Sequence, residues 1–264
     1  MGKEAWKSAW LFASSLFLAG PARADLYMDL VAGRYALVDL THVVSEQIPY
    51  WPGGVPFRME RLADYEKDGY RFHRFIMGEN TGTHVDAPSH YVKGTADIDL
   101  IPVQDLILPA VVVDVEAKVE NNPDYQLSVQ DLLEWEARYS PIPIGALVIM
   151  RTGWFRRWPD MKAYRNMDEK GIMHFPGFSL EAARFLLQER SIKAIGIDTL
   201  SLDYGPSRDF AVHFLVLGAG RYQIENLANL DQLPPKGAVV FVGVWRLRAG
   251  TQAPARVVAF VPRP

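Results

Sequence analysis

The sequence predicts a single α/β domain with a mixed β core and few peripheral helices. Short apolar runs rich in β-branched residues have the length of strands, whereas only two segments show the N-cap and apolar periodicity of a longer helix. Strands and helices do not alternate strictly along the chain, which argues against an all-parallel sheet. No linker or internal repeat divides the chain, whose 264 residues suffice for one large core.

N-caps and apolar runs locate the predicted helices and strands. Ser128 is a good N-cap for a helix that ends near Tyr139, and Ser179 for one that ends near Arg190. Two shorter helices are predicted at 209–217 and 224–230. The runs 110–115 and 146–150 are continuously apolar, as expected for buried strands. The predicted strands are 35–40, 70–77, 110–115, 146–150, 194–197, 239–244 and 257–261.

The first 24 residues have the organisation of a secretory signal peptide. Lys3 and Lys7 precede an apolar run at 9–19, and Ala22 and Ala24 supply the small residues of a cleavage site after Ala24. The apolar run is shorter than the roughly 20 residues that a membrane span needs, although an uncleaved anchor is the alternative. We therefore expect a periplasmic or secreted protein.

Composition excludes some classes of partner. Removal of the first 24 residues takes away three basic residues and one acidic residue, so the net charge changes from −3 to −5. A mildly acidic protein has no electrostatic basis for general nucleic-acid binding. No later segment has a long charge-free apolar run, so no membrane partner is expected after cleavage. The chain has no cysteine, so its stability must come from its core and not from disulfides.

The run 79–90, with the sequence ENTGTHVDAPSH, carries the densest set of metal-binding side chains. His84 and Asp86 are two positions apart, so both side chains point to the same side of an extended segment. Gly82 permits an unusual backbone angle, and Pro88 argues against a regular helix. A lone histidine is usually a hydrogen-bonded core residue, but imidazoles and a carboxylate this close together favour a site for Zn²⁺, Mn²⁺ or Fe²⁺.

A second set of candidate ligands lies far along the chain. His213 and Glu225 each occur in a largely apolar stretch, where burial without a partner is costly. A metal ion or a partner charge would offset that cost. A hydrogen-bonded His–Glu pair, or surface exposure, is equally consistent with the spacing.

With these two sets of candidate metal ligands, the chain resembles the metal-dependent cyclase family, which contains bacterial kynurenine formamidase. The family pattern is His-x-Gly-Thr-His-x-Asp-x-Pro-x-His, and Asn80 replaces its first histidine here. Further blocks in the family's order extend the resemblance over 36–262. It implies the swivelling β/β/α fold of the kynurenine formamidases and assembly as a homodimer or homotetramer. The six matching residues are Gly82, Thr83, His84, Asp86, Pro88 and His90.

The resemblance also implies a role for each site residue. His84 and Asp86 are metal ligands, and Asp86 can bridge to a second ion. His213 and Glu225 are ligands of that second site. His90 is the acid/base residue near the attacking water. The implied cofactor is one or two divalent ions, Zn²⁺ or Mn²⁺.

Asn80 is the one departure from the family pattern. An amide oxygen is a weaker donor to Zn²⁺ than imidazole and suits harder cations better. The change is consistent with weaker occupancy of one site, a single-metal enzyme, or a preference for Mn²⁺. Asn80 could instead contact the substrate.

The residues indicate hydrolysis by a metal-activated water, with His90 moving a proton from the water to the leaving amine. Aromatic residues next to Gly or Pro are candidates for a pocket that takes a small aromatic amide or lactam. These are Trp51, Trp154 and Phe175, and His174 is close enough in sequence to join them. Core positions are the alternative for each aromatic residue.

The leading hypothesis is an arylformamidase that cleaves N-formyl-L-kynurenine to L-kynurenine and formate. The enzyme alternative is a cyclic amide or lactone hydrolase of the same family, of the isatin or dienelactone type. Export favours this alternative, because tryptophan catabolism is normally cytoplasmic. The non-enzyme alternative is an exported metal- or ligand-binding protein that has lost the chemistry.

Overall fold

The computed structural model describes residues 26–263, so the predicted signal peptide at 1–24 lies outside the described residues. None of the helices within 26–263 is long and apolar enough to cross a bilayer. The helices are α1 (Leu26–Val31), α2 (Tyr65–Asp68), α3 (Glu116–Asn121), α4 (Val129–Arg138), α5 (Met161–Arg165), α6 (Leu180–Glu189) and α7 (Ala211–Gly218). The strands are β1 (Tyr35–Asp39), β2 (Arg58–Ala63), β3 (Phe72–Ile76), β4 (His84–Asp86), β5 (Ile107–Asp114), β6 (Gln126–Leu127), β7 (Leu147–Arg151), β8 (Gly177–Phe178), β9 (Ala194–Ile197), β10 (Tyr222–Glu225), β11 (Lys236–Val244) and β12 (Gln252–Pro262).

Eight of these strands form one mixed sheet that closes on itself. Its order is β1-β12-β11-β5-β7-β9-β10-β4, and β5, β7, β9 and β10 run parallel to one another. The long strand β12 pairs with β11 along one side, and with both β1 and β4 along the other. The β12–β4 pairing closes the sheet into a barrel. The mixed α/β fold predicted from the sequence is therefore confirmed.

The closed sheet separates two apolar cores. One cluster draws side chains from the strands of the ring, including Ala110 and Val112 of β5, and fills the barrel. The alternate residues Val111 and Val113 point outward and pack with residues of α4 and α6. This division follows from the two-residue repeat of a strand, which sends neighbouring side chains to opposite faces.

Both predicted N-caps are confirmed. The Ser128 side chain accepts a hydrogen bond from the backbone N–H of Asp131, and the Asp131 carboxylate accepts from the backbone N–H of Ser128, which completes a capping box at α4. The Ser179 side chain accepts from the backbone N–H of Ala182 at the start of α6. These two helices begin where local side-chain chemistry satisfies their free N–H groups.

The predicted helix at 224–230 is wrong. Residues Tyr222–Glu225 form strand β10, which pairs with β9 on one side and β4 on the other. Asn226 and Asn229 then adopt left-handed backbone angles, with φ of 55° and 53°. Periodicity does not separate a short, fully buried strand from a buried helix, and the two asparagines interrupt any continuation.

Candidate active site

The short strand β4 places the first ligands. It lies between β10 and β12, with His84 opposite Glu225 and Asp86 opposite Gln252. Val85 points into the barrel core, so His84 and Asp86 both project from the outer face. Just before the strand, Gly82 has φ of 69°, the left-handed angle that glycine adopts without strain.

Four buried side chains from three elements meet on this face. Nε2 of His84 lies 3.3 Å from Asp86 Oδ1 and 3.3 Å from Glu225 Oε2. Nε2 of His213, on α7, lies 3.4 Å from Asp86 Oδ2 and 3.2 Å from Glu225 Oε1. Each carboxylate thus faces both imidazoles. The two sets of candidate ligands, far apart in sequence, form one cluster.

The imidazoles and carboxylates of the cluster shift one another's pKa values. Burial alone would lower the pKa of His84, but the carboxylates of Asp86 and Glu225 outweigh it and raise that pKa to about 10. Burial likewise opposes the charged form of His213, yet Asp203, Asp86 and Glu225 raise its pKa well above the usual value. Burial would raise the pKa of the Asp86 carboxyl, but the two imidazoles lower it. Without metal, the neighbouring carboxylates therefore favour the imidazolium form of both histidines.

The residues fit a divalent metal ion. Ligand atoms of His84, Asp86 and Glu225 all lie within 4.8 Å of one another. Oδ2 of Asp86 is buried and has no hydrogen-bond partner among the described residues, which leaves a lone pair for a cation. Mixed imidazole and carboxylate donors suit Zn²⁺ or Mn²⁺. Burying four ionisable groups together is costly, and a bound cation would offset that cost.

Outer partners orient both imidazoles. Nδ1 of His213 donates to Asp203 Oδ2 over 2.6 Å, and Asp203 also accepts from the backbone N–H of Val212 and His213. Nδ1 of His84 donates to the Gly82 carbonyl over 2.9 Å, and the side chain of Asn226 donates to the same oxygen over 3.0 Å. With each Nδ1 engaged, both Nε2 atoms face the cluster, as metal-binding histidines require.

We expect Asp203→Asn to weaken metal binding by about 10–100-fold. The asparagine oxygen can still accept from the backbone N–H of Val212, but its amide then faces both the backbone N–H and Nδ1 of His213, and it favours the tautomer with a proton on Nε2. Calorimetric titration of metal-free protein with Mn²⁺ or Zn²⁺ measures the change. Asp209→Asn, at an exposed position nearby, is the matched control, and equal affinities of the two variants would contradict the orienting role.

Metal affinity should rise with pH. Because the pKa values of His84 and His213 are both raised, both side chains are in the imidazolium form at pH 7 in the metal-free protein. We expect binding at pH 7 to release about two protons per ion, and affinity to fall as pH falls. Calorimetry in buffers of different ionisation enthalpy counts these protons. Binding without proton release would show that these imidazoles are not the ligands.

A cavity of about 180 Å³ opens beside the cluster. Its walls combine aromatic and polar side chains. A larger cavity of about 340 Å³, between β5 and α4, is lined by both charged and apolar residues and touches none of the cluster. Besides His84, His213 and Glu225, the smaller cavity is lined by Trp51, Asn80, His90, Tyr91, Leu200, Ser201, Phe210, Asn226 and Gln252.

Three other predicted site residues reach this cavity. Trp51 and Asn80 line it, and His90 lies on a 3₁₀ turn at Pro88–His90, with its ring centroid 6.3 Å from that of His213. Burial lowers the pKa of His90, although the Asp86 carboxylate partly offsets this effect. His90 is therefore neutral at neutral pH and able to accept a proton.

Three predicted pocket residues lie elsewhere, and their assignment is corrected. Trp154 is 1% exposed, and its Nε1 donates to the Tyr164 carbonyl in the outer core. Phe175 is fully buried in the same core. His174 is half-buried near the surface, where Nδ1 lies 2.7 Å from an Asp124 carboxylate oxygen. For the two aromatic residues, a position next to Gly or Pro reflects core packing at loop ends.

Sequence reasoning missed two residues that contact the ligands. Gln252, at the start of β12, donates from Nε2 to Asp86 Oδ1 over 2.6 Å. Asp203 holds His213. Gln252 carries no local signal, because only the β12–β4 pairing brings it here. Asp203 has only a weak signal, a carboxylate ten positions before a candidate histidine.

The barrel carries a buried group of candidate metal ligands, and relatives of this chain are hydrolases, so the protein is a metal-dependent hydrolase. The model of a family described as Putative cyclase matches residues 38–204, and the chain belongs to this family. The resemblance inferred from the sequence is thus confirmed.

Individual relatives are also hydrolases. An isatin hydrolase of Roseibium aggregatum is 31% identical over 93% of this chain and 99% of its own length. A kynurenine formamidase of Bacillus thuringiensis is 28% identical over 72% of this chain and 81% of its own length. The solved structure of isatin hydrolase A from Ralstonia solanacearum has a TM-score of 0.86 and 35% identity, over 92% of this chain and 98% of that one.

Proposed function

We propose that the protein hydrolyses the amide bond of a small cyclic aromatic amide of the isatin type, which opens the ring. The observation that carries the proposal is the buried cluster of His84, Asp86, His213 and Glu225 beside an aromatic-walled cavity. Similarity to an isatin hydrolase over nearly the full chain supports a cyclic substrate over an open-chain one. Water adds across the carbonyl C–N bond, and the products are a carboxylate and an amine on one molecule.

A divalent metal held by these four residues would polarise the substrate carbonyl and lower the pKa of water. His90, neutral in this setting, accepts a proton from the attacking water and returns one to the leaving nitrogen. The buried Oγ of Ser201 lines the cavity without a hydrogen-bond partner among the described residues, so it can donate to a substrate oxygen.

Aromatic side chains shape the binding space. The rings of Trp51 and Tyr91 lie 5.9 and 5.6 Å from that of Phe210, centroid to centroid. Together they form an apolar wall on which a flat substrate ring can pack while bulk water is excluded.

The direct test is turnover of isatin by purified protein loaded with Zn²⁺ or Mn²⁺. We expect ring opening, followed as product formation by chromatography, and its loss in the metal-free protein. N-formyl-L-kynurenine is the parallel substrate. Formate release without isatin turnover would overturn the cyclic-amide proposal, and turnover of neither substrate with either metal would contradict both assignments.

Arylformamidase activity on N-formyl-L-kynurenine is the second candidate. The motif in 80–90 and the match to a kynurenine formamidase favour it. We expect kcat/KM for isatin to exceed that for N-formyl-L-kynurenine by at least about tenfold. A ratio in the other direction would assign the protein to the formamidases. The non-catalytic alternative is set aside, because the chain is a hydrolase that retains His90.

Asn80 supplies a test of metal preference. Its side chain lines the cavity together with His84 and Gln252, and imidazole is a better donor to Zn²⁺ than an amide oxygen. We expect Asn80→His to raise Zn²⁺ affinity by about tenfold or more. Titration with Zn²⁺ and with Mn²⁺ measures the effect. Unchanged affinity, with a changed KM, would place Asn80 against the substrate.

We further propose that the protein acts outside the cytoplasm after cleavage behind Ala24. The basic, apolar and small-residue regions within 1–24 support this location. N-terminal sequencing of the protein purified from cells should begin at Asp25. A retained Met1, or recovery in the cytoplasmic fraction, would contradict export.

A further inference from the structure

Asn226 links the two strands that carry three of the ligands. It follows Glu225 at the end of β10, and its backbone carbonyl accepts a hydrogen bond of 2.6 Å from Oγ1 of Thr83, the residue before His84. Its side chain donates over 3.0 Å to the carbonyl of Gly82, which also accepts from Nδ1 of His84. One asparagine thus holds two consecutive residues at the start of β4.

The backbone of Asn226 is fixed in the conformation that this link requires. Its φ of 55° lies in the left-handed region, which asparagine adopts more readily than most residues. Its N–H donates to the carbonyl of Thr199 over 3.0 Å. Because Asn226 is only 2% exposed, its amide depends on partners within the protein for its hydrogen bonds.

The hydroxyl of Tyr164 orients the Asn226 amide. It lies 3.0 Å from Oδ1 of Asn226 and 2.8 Å from the carbonyl oxygen of Asp198, so its proton is directed at these two acceptors. Burial raises the pKa of the Tyr164 phenol well above its usual value, which keeps that proton in place at neutral pH. With Oδ1 turned towards a donor, Nδ2 faces Gly82. The reverse orientation would set Oδ1 against the Gly82 oxygen, two acceptors with no proton between them.

Tyr164 is itself held firmly in the outer core. Its side chain is fully buried, and its ring meets that of Trp158 edge to face, with centroids 5.3 Å apart. Its backbone carbonyl accepts a hydrogen bond of 2.8 Å from Nε1 of Trp154, and the side chain of Asp160 caps the start of its helix, α5. A phenol locked in this way can set the position of the groups it bonds. Tyr164 does not line the cavity, so any effect on the site passes through other residues.

We propose that Tyr164 is a positioning residue for the metal site and acts through Asn226. The hydroxyl orients the amide, and the amide holds the Gly82 carbonyl. That carbonyl in turn holds Nδ1 of His84, so that Nε2 faces the carboxylates of the cluster. The proposal rests on metal binding by this cluster, as the proposed function requires. Helix α5 thereby supports a ligand that the local sequence of β4 does not fix alone.

The first test compares two asparagine variants by calorimetric titration of the metal-free protein with Mn²⁺. Asn226→Gly removes the amide, and glycine adopts the left-handed angle without strain. Asn229→Gly is the matched control, because Asn229 has φ of 53° and its side chain donates over 2.7 Å to the carbonyl of Asp39, away from the cluster. We expect Asn226→Gly to weaken Mn²⁺ binding by about 10–100-fold and the control to match the parent. Equal affinities of the two variants would overturn the proposal.

The second test removes only the tyrosine hydroxyl. Tyr222→Phe is the matched control for Tyr164→Phe, because Tyr222 is also buried and also donates to a backbone carbonyl, that of Asp105, over 2.8 Å. We expect Tyr164→Phe to weaken Mn²⁺ binding by about 3–10-fold, less than Asn226→Gly because it acts one bond further from the ligand, and the control to match the parent. Added to Asn226→Gly, the change Tyr164→Phe should have no further effect. Additive losses in the double variant, or parental affinity in Tyr164→Phe, would contradict action through Asn226.

A third measurement needs neither metal nor substrate, so its outcome is separate from that of the proposed reaction. A crystal structure of metal-free Asn226→Gly should show the Gly82 carbonyl displaced, and Nε2 of His84 moved away from the two carboxylates that it faces at 3.3 Å. In Asn229→Gly the same ring should keep the parent position. A His84 ring in the parent position in both variants would overturn the positioning role. A parent protein that binds no metal would instead contradict the proposed hydrolysis.

Discussion

Replacing His84 with alanine should abolish metal binding at the cluster and lower kcat/KM by at least about 10³-fold. His84 is the imidazole of the three-residue ligand group with Asp86 and Glu225. Loss of a partner that merely orients a ligand already costs about 10–100-fold, so loss of a ligand should cost more. The alanine also leaves two buried carboxylates with one imidazole fewer to balance them.

The measurement combines metal content after dialysis with initial rates at saturating Mn²⁺ or Zn²⁺. His174→Ala is the matched control, because His174 pairs with Asp124 near the surface and does not line the cavity. We expect the control to keep full metal content and rate. A His84→Ala protein that binds metal as tightly as the parent would show that the cluster is only an ion-paired network.

Replacing His90 with alanine should also lower the rate, but it should leave metal binding intact. His90 lines the cavity but lies outside the ligand cluster, so the four ligands remain. Removal of a general acid/base typically costs about 10²–10⁴-fold in rate. The loss should appear in kcat, because the proton transfers occur in the chemical step.

The dependence of the rate on pH distinguishes an acid/base role of His90 from a role in packing. The pKa of His90 is lowered by burial, so its neutral form persists to below the ordinary histidine pKa and is lost only as the pH falls further. We expect the parent's rate to fall on that acidic side and His90→Gln to lack this step. A His90→Gln protein with the parent's rate and profile would refute the assignment.

Features set by neighbours in sequence could be predicted. Ser128 and Ser179 begin their helices through bonds that span three residues, so the local sequence was sufficient. His84 and Asp86 share a face because a strand alternates, and the motif identified the family. Continuous apolar runs marked β5 and β7, because the central residues of these strands are buried on both faces of the sheet.

Features set by pairing between distant parts of the chain could not be predicted from the sequence. Gln252 reaches Asp86 only because β12 closes the barrel against β4, 166 positions away. Tyr222–Glu225 is a strand because β9 and β4 flank it, and its own sequence is equally compatible with a helix. Trp154 and Phe175 resemble pocket residues in sequence, but the packing of helices on the barrel buries them.

The most direct test of the central claim is the position of the bound metal. Crystals grown with Mn²⁺ or Zn²⁺, measured at the absorption edge, should show an anomalous peak among Nε2 of His84, Nε2 of His213 and the carboxylates of Asp86 and Glu225. Ligand distances should be near 2.0–2.2 Å. A fully metal-loaded crystal with the peak elsewhere, or with these four side chains still paired only to one another, would contradict the account.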